Sequence, residues 1–172
     1  MSQELITYIV LGSNKRLKGL KLPNSSKNEE YILANLSEKK SFEETLDQII
    51  FDAKGNIIVL LPPSSFPNSK SKEILQKISM IDQSSWGWFR FNDKKNDFLQ
   101  NLKKISSSMS SIPNIEQGIY FSKRLYFSVG GIGRFGPSPF KEISKRFYSR
   151  IDPQKPLPPL IIRTKNLDIF QK

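Results

Sequence analysis

The chain has 172 residues, and its 27 Lys and Arg against 16 Asp and Glu give a net charge of +11. Its hydrophobic content, 37%, is enough for one domain core and argues against disorder throughout. It contains neither cysteine nor histidine, which excludes disulfides, thiolate chemistry, a Ser-His-Asp triad and a His-ligated zinc hydrolase.

No apolar run reaches the roughly 18 residues of a membrane-spanning helix. The start, Met-Ser-Gln-Glu-Leu, has neither the basic nor the apolar region of a signal peptide. A cytoplasmic protein is expected. The excess of lysine and arginine has two readings. It is either a compositional bias, in a chain also rich in Asn, Ile and Ser, or the mark of a polyanionic partner: a nucleotide phosphate, an acidic protein segment, an anionic membrane face or a nucleic acid. No dense Arg-aromatic segment stands out, which leaves the nucleic-acid signature weak.

In chain order, Leu5–Leu11 is a short apolar, β-branched run and predicts a buried strand ended by Gly12, Ser13 and Asn14. Lys15–Lys27 reads as a basic loop, and Glu30–Leu36 as a second strand. Ser41 followed three residues later by Glu44 has the pattern of a capping box. It opens a helix with Phe42, Leu46, Ile49 and Ile50 on one face, stopped at Lys54-Gly55-Asn56. Ile57–Leu61 predicts a strand buried on both faces, ended by Pro62 and Pro63. Helices are predicted over Ser69–Ile81, with Ile74, Leu75 and Ile78 inward, and over Asp97–Met109. Strands are predicted at Trp86–Phe91 and Gly118–Phe121. A short helix follows at Lys123–Val129, stopped by Gly130-Gly131, then a helix at Phe140–Ile151 and a last strand at Leu160–Arg163. Strands alternating with helices predict a single α/β domain over residues 1–172, with a mainly parallel central sheet flanked by helices.

From Ile57 onward, the order of short motifs is similar to that of small bacterial family 2 glycosyltransferases of the GT-A fold. Those read Trp-Gly-Arg-Phe-Asp, then Gly-Asp-Gln-Ala-Ile-Phe, then Gly-Gly-Phe, then Met-Glu-Asp before a helix. The corresponding places here are Trp86-Gly87-Trp88-Phe89-Arg90, Ile115–Tyr120, Gly130-Gly131-Ile132 and Ser138-Pro139-Phe140. Residues 57–172 carry the resemblance. Residues 1–56 form a divergent, reduced N-terminal part without the Asp-Gly-Gly-Ser segment that helps such enzymes hold a nucleotide. The resemblance implies a GT-A or Rossmann-like scaffold and, at its site, a sugar nucleotide.

The same comparison removes most of the acids that the chemistry needs. Such enzymes place a carboxylate after the buried strand to hold Mg²⁺ or Mn²⁺ on the leaving diphosphate, and a second one to deprotonate the acceptor. Here the strand is followed by Pro62-Pro63-Ser64-Ser65, and the base position holds Phe140. Arg90 replaces an Asp, Lys15 replaces a Glu, and only Glu116 keeps an acid. The expected protein is therefore a degenerate glycosyltransferase-like domain without metal or cofactor, retained for binding or assembly.

Glu116 is the remaining candidate base, with ion pairing as its alternative role. Lys15, Trp86, Arg90 and Gln117 are candidates for holding an anionic ligand such as a nucleotide diphosphate. Against this, Trp86 and Trp88 have a sheet-packing reading, and Gln117 that of a buried, hydrogen-bonded amide. Gly130–Gly136 superficially resembles a phosphate-cradling loop, with an ordinary turn as the alternative. Two other functions stay open: an active, metal-independent transferase in which Lys and Arg replace the cation, and a basic adaptor for nucleic acid or an anionic membrane surface.

Overall fold

The computed structural model describes residues 5–36, 41–92, 112–164 and 166–169, with backbone only at 14, 35 and 36. The predicted helix over Asp97–Met109 lies outside the described residues. In order, the elements are β1 (Ile6–Ser13), α1 (Asn14–Leu17), β2 (Glu29–Leu36), α2 (Phe42–Asp52), β3 (Ile57–Leu61), β4 (Ser65–Phe66), α3 (Ser69–Ser79), β5 (Trp86–Gly87), β6 (Ile119–Ser122), α4 (Lys123–Ser128), α5 (Lys141–Tyr148) and β7 (Ile161–Ile162). Among the described residues, no helix is long and apolar enough to cross a membrane.

Five strands form one sheet in the order β2-β1-β3-β6-β5, and β4 pairs with β7 in a second, two-stranded sheet. β1 pairs in parallel with β2 and β3, whereas β6 is antiparallel to both β3 and β5. The expectation of a mainly parallel sheet is corrected by this. The sheet is mixed: β6 starts at the edge where β1, β3 and β5 end and runs the other way.

Alternation along the strands divides the core between two faces. Ile9, Leu11, Ile58 and Leu60 face α2, α4 and α5 through Leu46, Ile50, Leu125, Tyr126, Ile143 and Phe147. Ile6, Tyr8, Val10, Ile57, Val59 and Leu61 face Leu75 of α3 and the Leu157–Leu160 segment. β1 and β3 are covered on both faces, which is why their sequences are apolar apart from Thr7 and the terminal Ser13. Ser41 Oγ accepts from the Glu44 N–H at 3.2 Å, as its sequence position implies. At the other end of α2, Lys123 Nζ donates to the carbonyls of Phe51 (2.8 Å) and Ala53 (2.6 Å), placing a cation at the negative end of that helix.

On the α3 face, the strand register lines up Tyr31, Tyr8, Val59, Tyr120 and Gly87 across the sheet. Tyr8 and Tyr31 stack at 4.8 Å, and Lys72 Nζ bonds Glu29 at 3.0 Å and the Tyr31 hydroxyl at 2.7 Å. A side chain at Gly87 would place its Cβ 2.6 Å from the Tyr120 hydroxyl, which is fully buried. Gly87→Ala is therefore expected to cost about 1–3 kcal/mol by overpacking. Urea unfolding measures it, and Tyr120→Phe in the same chain should relieve only part of the loss, because Cζ and Cε1 of the ring would still lie 2.8 and 3.0 Å from the added Cβ. An alanine variant as stable as the parent would contradict the close approach.

Burial raises the Tyr8, Tyr120 and Tyr126 hydroxyls well above the ordinary tyrosine value of 10.0; at Tyr126 the hydrogen bond to Asp47 adds to it. Above about pH 10 the unfolded chain loses these protons while the folded chain keeps them, so the unfolded state binds fewer protons. Stability is thus intact below that pH and falls as the pH rises beyond it, by up to about 1.4 kcal/mol per pH unit for each tyrosine. A urea midpoint that is level to about pH 9 and declines steeply by about pH 11 is expected. A level midpoint across that range would contradict the buried tyrosines.

Candidate functional site

β5 runs antiparallel to β6, and β6 antiparallel to β3, so β5 points the same way as β1, β2 and β3. One edge of the sheet therefore carries the carboxyl ends of these four strands and the amino end of β6. In open α/β sheets, ligands dock outside the carboxyl ends of strands. Lys15 follows β1 on this edge, Ser64 follows β3, Glu116 and Gln117 precede β6, and Arg90 follows β5. Lys15 and Arg90 belong to strands three spacings apart, about 14 Å at ~4.8 Å per spacing. Arg90 follows the end strand β5, whereas Lys15 follows β1, with β2 outside it.

The side chains then separate. Lys15 and Arg90 are exposed, and Glu116 is partly exposed. Trp86 is fully buried, its Nε1 donates to the Ile151 carbonyl at 2.9 Å, and its ring packs on Trp88, Phe147 and Tyr148. It belongs to the core and presents no face to a ligand. Gln117 is also buried; its Oε1 accepts from the Asn114 N–H at 2.9 Å and its carbonyl accepts from Phe89 at 3.1 Å. The amide that the sequence offers as a ligand contact closes its own turn.

The turn after β3 is used in a similar way. Ser64 adopts a left-handed conformation, φ 51°, which is strained for a residue with a side chain. Its carbonyl accepts from the Arg163 N–H at 2.9 Å, and Ser65 Oγ donates to the Pro62 carbonyl at 2.7 Å. Phe140, where the resemblance implies a base, is fully buried against the apolar face beneath α5. No group of three or more acidic side chains that could hold a metal ion occurs among the described residues.

The C-terminal segment crosses this edge from β5 to β1. Its Leu157 exchanges backbone bonds with Trp88 (2.9 Å) and Arg90 (2.8 Å) beside β5. β7 then pairs with β4 after β3. Finally, the Ile169 carbonyl accepts from the Ser13 N–H at 2.9 Å, and the Asn166 carbonyl accepts from Arg16 at the end of β1. Ile169 itself is buried in the core. The sequence shows this segment only as a proline-rich stretch with a final strand; nothing in it signals that these residues return to β1.

The glycine-rich loop does not offer its amides outward. The Ile132 N–H donates to Asp47 Oδ1 and the Phe135 N–H to Glu43 Oε1, each at 3.0 Å. Asp47 also accepts from the Tyr126 hydroxyl. Two carboxylates one turn apart on α2 thus occupy the donors that a phosphate would need. The same loop forms one wall of a basic pocket with α5, lined by Arg134, Lys141 and Lys145. Sequence reasoning passed over these three; the only signal was the i, i+4 spacing of the two lysines. Compared with known proteins, the chain matches no protein-family model and no curated protein sequence.

Proposed function

We propose that the chain is a glycosyltransferase-like domain of the GT-A class that serves in binding or assembly and does not carry out metal-assisted glycosyl transfer. One observation carries this reading: both positions at which the resemblance would put catalytic acids are tied into the framework of the fold. Ser64 and Ser65 bond to the C-terminal segment and to their own turn, and Phe140 lies in the core. Neither serine hydroxyl nor phenyl ring supplies the hard anionic oxygen that Mg²⁺ or Mn²⁺ needs on a leaving diphosphate. The run of the C-terminal segment across the carboxyl edge adds support, since it lies where a nucleotide would enter.

The test is incubation of the purified chain with a panel of radiolabelled sugar nucleotides and Mn²⁺, followed for both transfer and donor hydrolysis. Rates at the no-protein background are expected. Turnover that Glu116→Gln abolishes would overturn the reading in favour of a metal-independent transferase.

A further inference from the structure

The pocket between the glycine-rich loop and α5 has a volume of about 520 Å³ and is lined by Arg134, Gly136, Pro137, Ser138, Lys141 and Lys145, with Glu142 at its wall. That volume lies in the range of small-molecule sites. Lys141 and Lys145 stand one turn apart on α5 and so share a face, while Arg134 enters from the loop opposite. None of the three forms an ion pair with a described residue.

The one acid at the wall is already neutralised. Glu142 Oε1 accepts from Arg146 Nη2 at 2.6 Å, and Arg146 Nη1 also reaches the carbonyls of Val129 (3.3 Å) and Gly130 (3.4 Å). Three uncompensated cations therefore face one concave space. The wall is fixed before any ligand arrives. Asp47 and Glu43 hold the loop amides of Ile132 and Phe135. Gly133 (φ 69°) lies so close to the Glu142–Arg146 pair that a Cβ there would come within 2.6 Å of Glu142 Oε1. A loop fixed in this way does not have to be ordered when an anion binds.

We propose that this pocket is a binding site for a multiply charged phosphate group, a phosphomonoester or a diphosphate, carried either by a free small molecule or by a lipid headgroup. Three cations match two to three negative charges, and arginine adds a planar fork for phosphate oxygens that lysine lacks. The site is separate from the edge positions Lys15 and Arg90, and it does not depend on whether the chain retains any transferase activity.

The experiment is calorimetric titration of the full chain with inorganic pyrophosphate, in low salt and in near-physiological salt. Binding is expected, weakening as salt rises. Arg134→Glu with Lys141→Glu should lower the affinity by about tenfold or more. Lys145→Glu alone should lower it by a smaller factor, and the control pair Lys70→Glu with Lys77→Glu, exposed on α3 and outside the pocket, should change it less than about twofold. All substituted side chains are exposed, and matching melting curves confirm that each variant folds. Sedimentation with phosphatidylcholine vesicles, with and without phosphatidic acid, then identifies the carrier. Capture dependent on phosphatidic acid and lost in the Arg134/Lys141 variant indicates a headgroup; pyrophosphate binding without capture indicates a free phosphate. Failure of the folded parent to bind either phosphate form, or equal losses in the pocket and control pairs, would overturn the proposal.

Discussion

Phe140→Asp is expected to lower the stability of the chain by about 4 kcal/mol or more and to confer no glycosyl transfer. The ring is fully buried, packs against Phe135, and shares the cluster of Ile143, Phe147 and Tyr126. Truncating a buried phenylalanine alone costs about 3–5 kcal/mol. A carboxylate adds the cost of burying a polar or charged group with no partner. For a domain of this size the melting temperature should fall by about 10 °C or more, whereas Phe140→Leu should stay within about 1.5 kcal/mol of the parent. An aspartate variant as stable as the parent, or one that turns over a sugar nucleotide, would mean that this position faces a cleft instead of the core.

The second large effect is expected from the C-terminal segment. A chain ending at Leu160 loses the β4–β7 pairing, the Arg163–Ser64 bond, the Asn166–Arg16 bond and the burial of Ile169 against β1. Burying one isoleucine stabilises by about 1.5–3 kcal/mol, and each hydrogen bond contributes about 0.5–1.5 kcal/mol net. The combined loss should be about 4–6 kcal/mol. It should appear as a lower urea midpoint and as faster hydrogen exchange at the Ser13 amide, whose acceptor, the Ile169 carbonyl, is then missing. Unchanged exchange at Ser13 would show that the segment does not close the carboxyl edge.

These residues also show what a sequence of this kind discloses. The apolar runs of β1 and β3 were legible because a strand covered on both faces admits almost no polar residue. The start of α2 was legible because Ser41 has the side chain that a helix start requires. Strand direction was not. The Ile-Tyr-Phe run of β6 reads the same in either direction, and nothing in its periodicity tells which edge of the sheet it enters from. Trp86–Phe91 alternates like a full strand, yet only Trp86 and Gly87 join β6; Phe89 instead bridges to Leu157. Such a partner, distant in sequence, leaves no mark on local periodicity.

The candidate site was legible to the same degree. The edge that gathers Lys15, Ser64 and Arg90 follows from parallel strands, which alternation of strands and helices anticipates; Glu116 reaches it only because β6 runs antiparallel. That Trp86 and Gln117 turn inward follows from packing and from a hydrogen bond within one turn. The basic pocket depends on carboxylates of α2 fixing a loop far along the chain. No spacing rule connects Glu43 and Asp47 with Phe135 and Ile132.

The central claim is that the transferase positions have become framework and hold no metal-dependent donor site. Its most direct test is calorimetric titration of the chain with a uridine diphosphate sugar in the presence and absence of Mn²⁺. If Ser64, Ser65 and Phe140 are structural, Mn²⁺ should make no difference to the affinity or the heat, and Ser64→Ala should leave both unchanged. Tight donor binding that requires Mn²⁺ and is lost in Ser64→Ala would contradict the account.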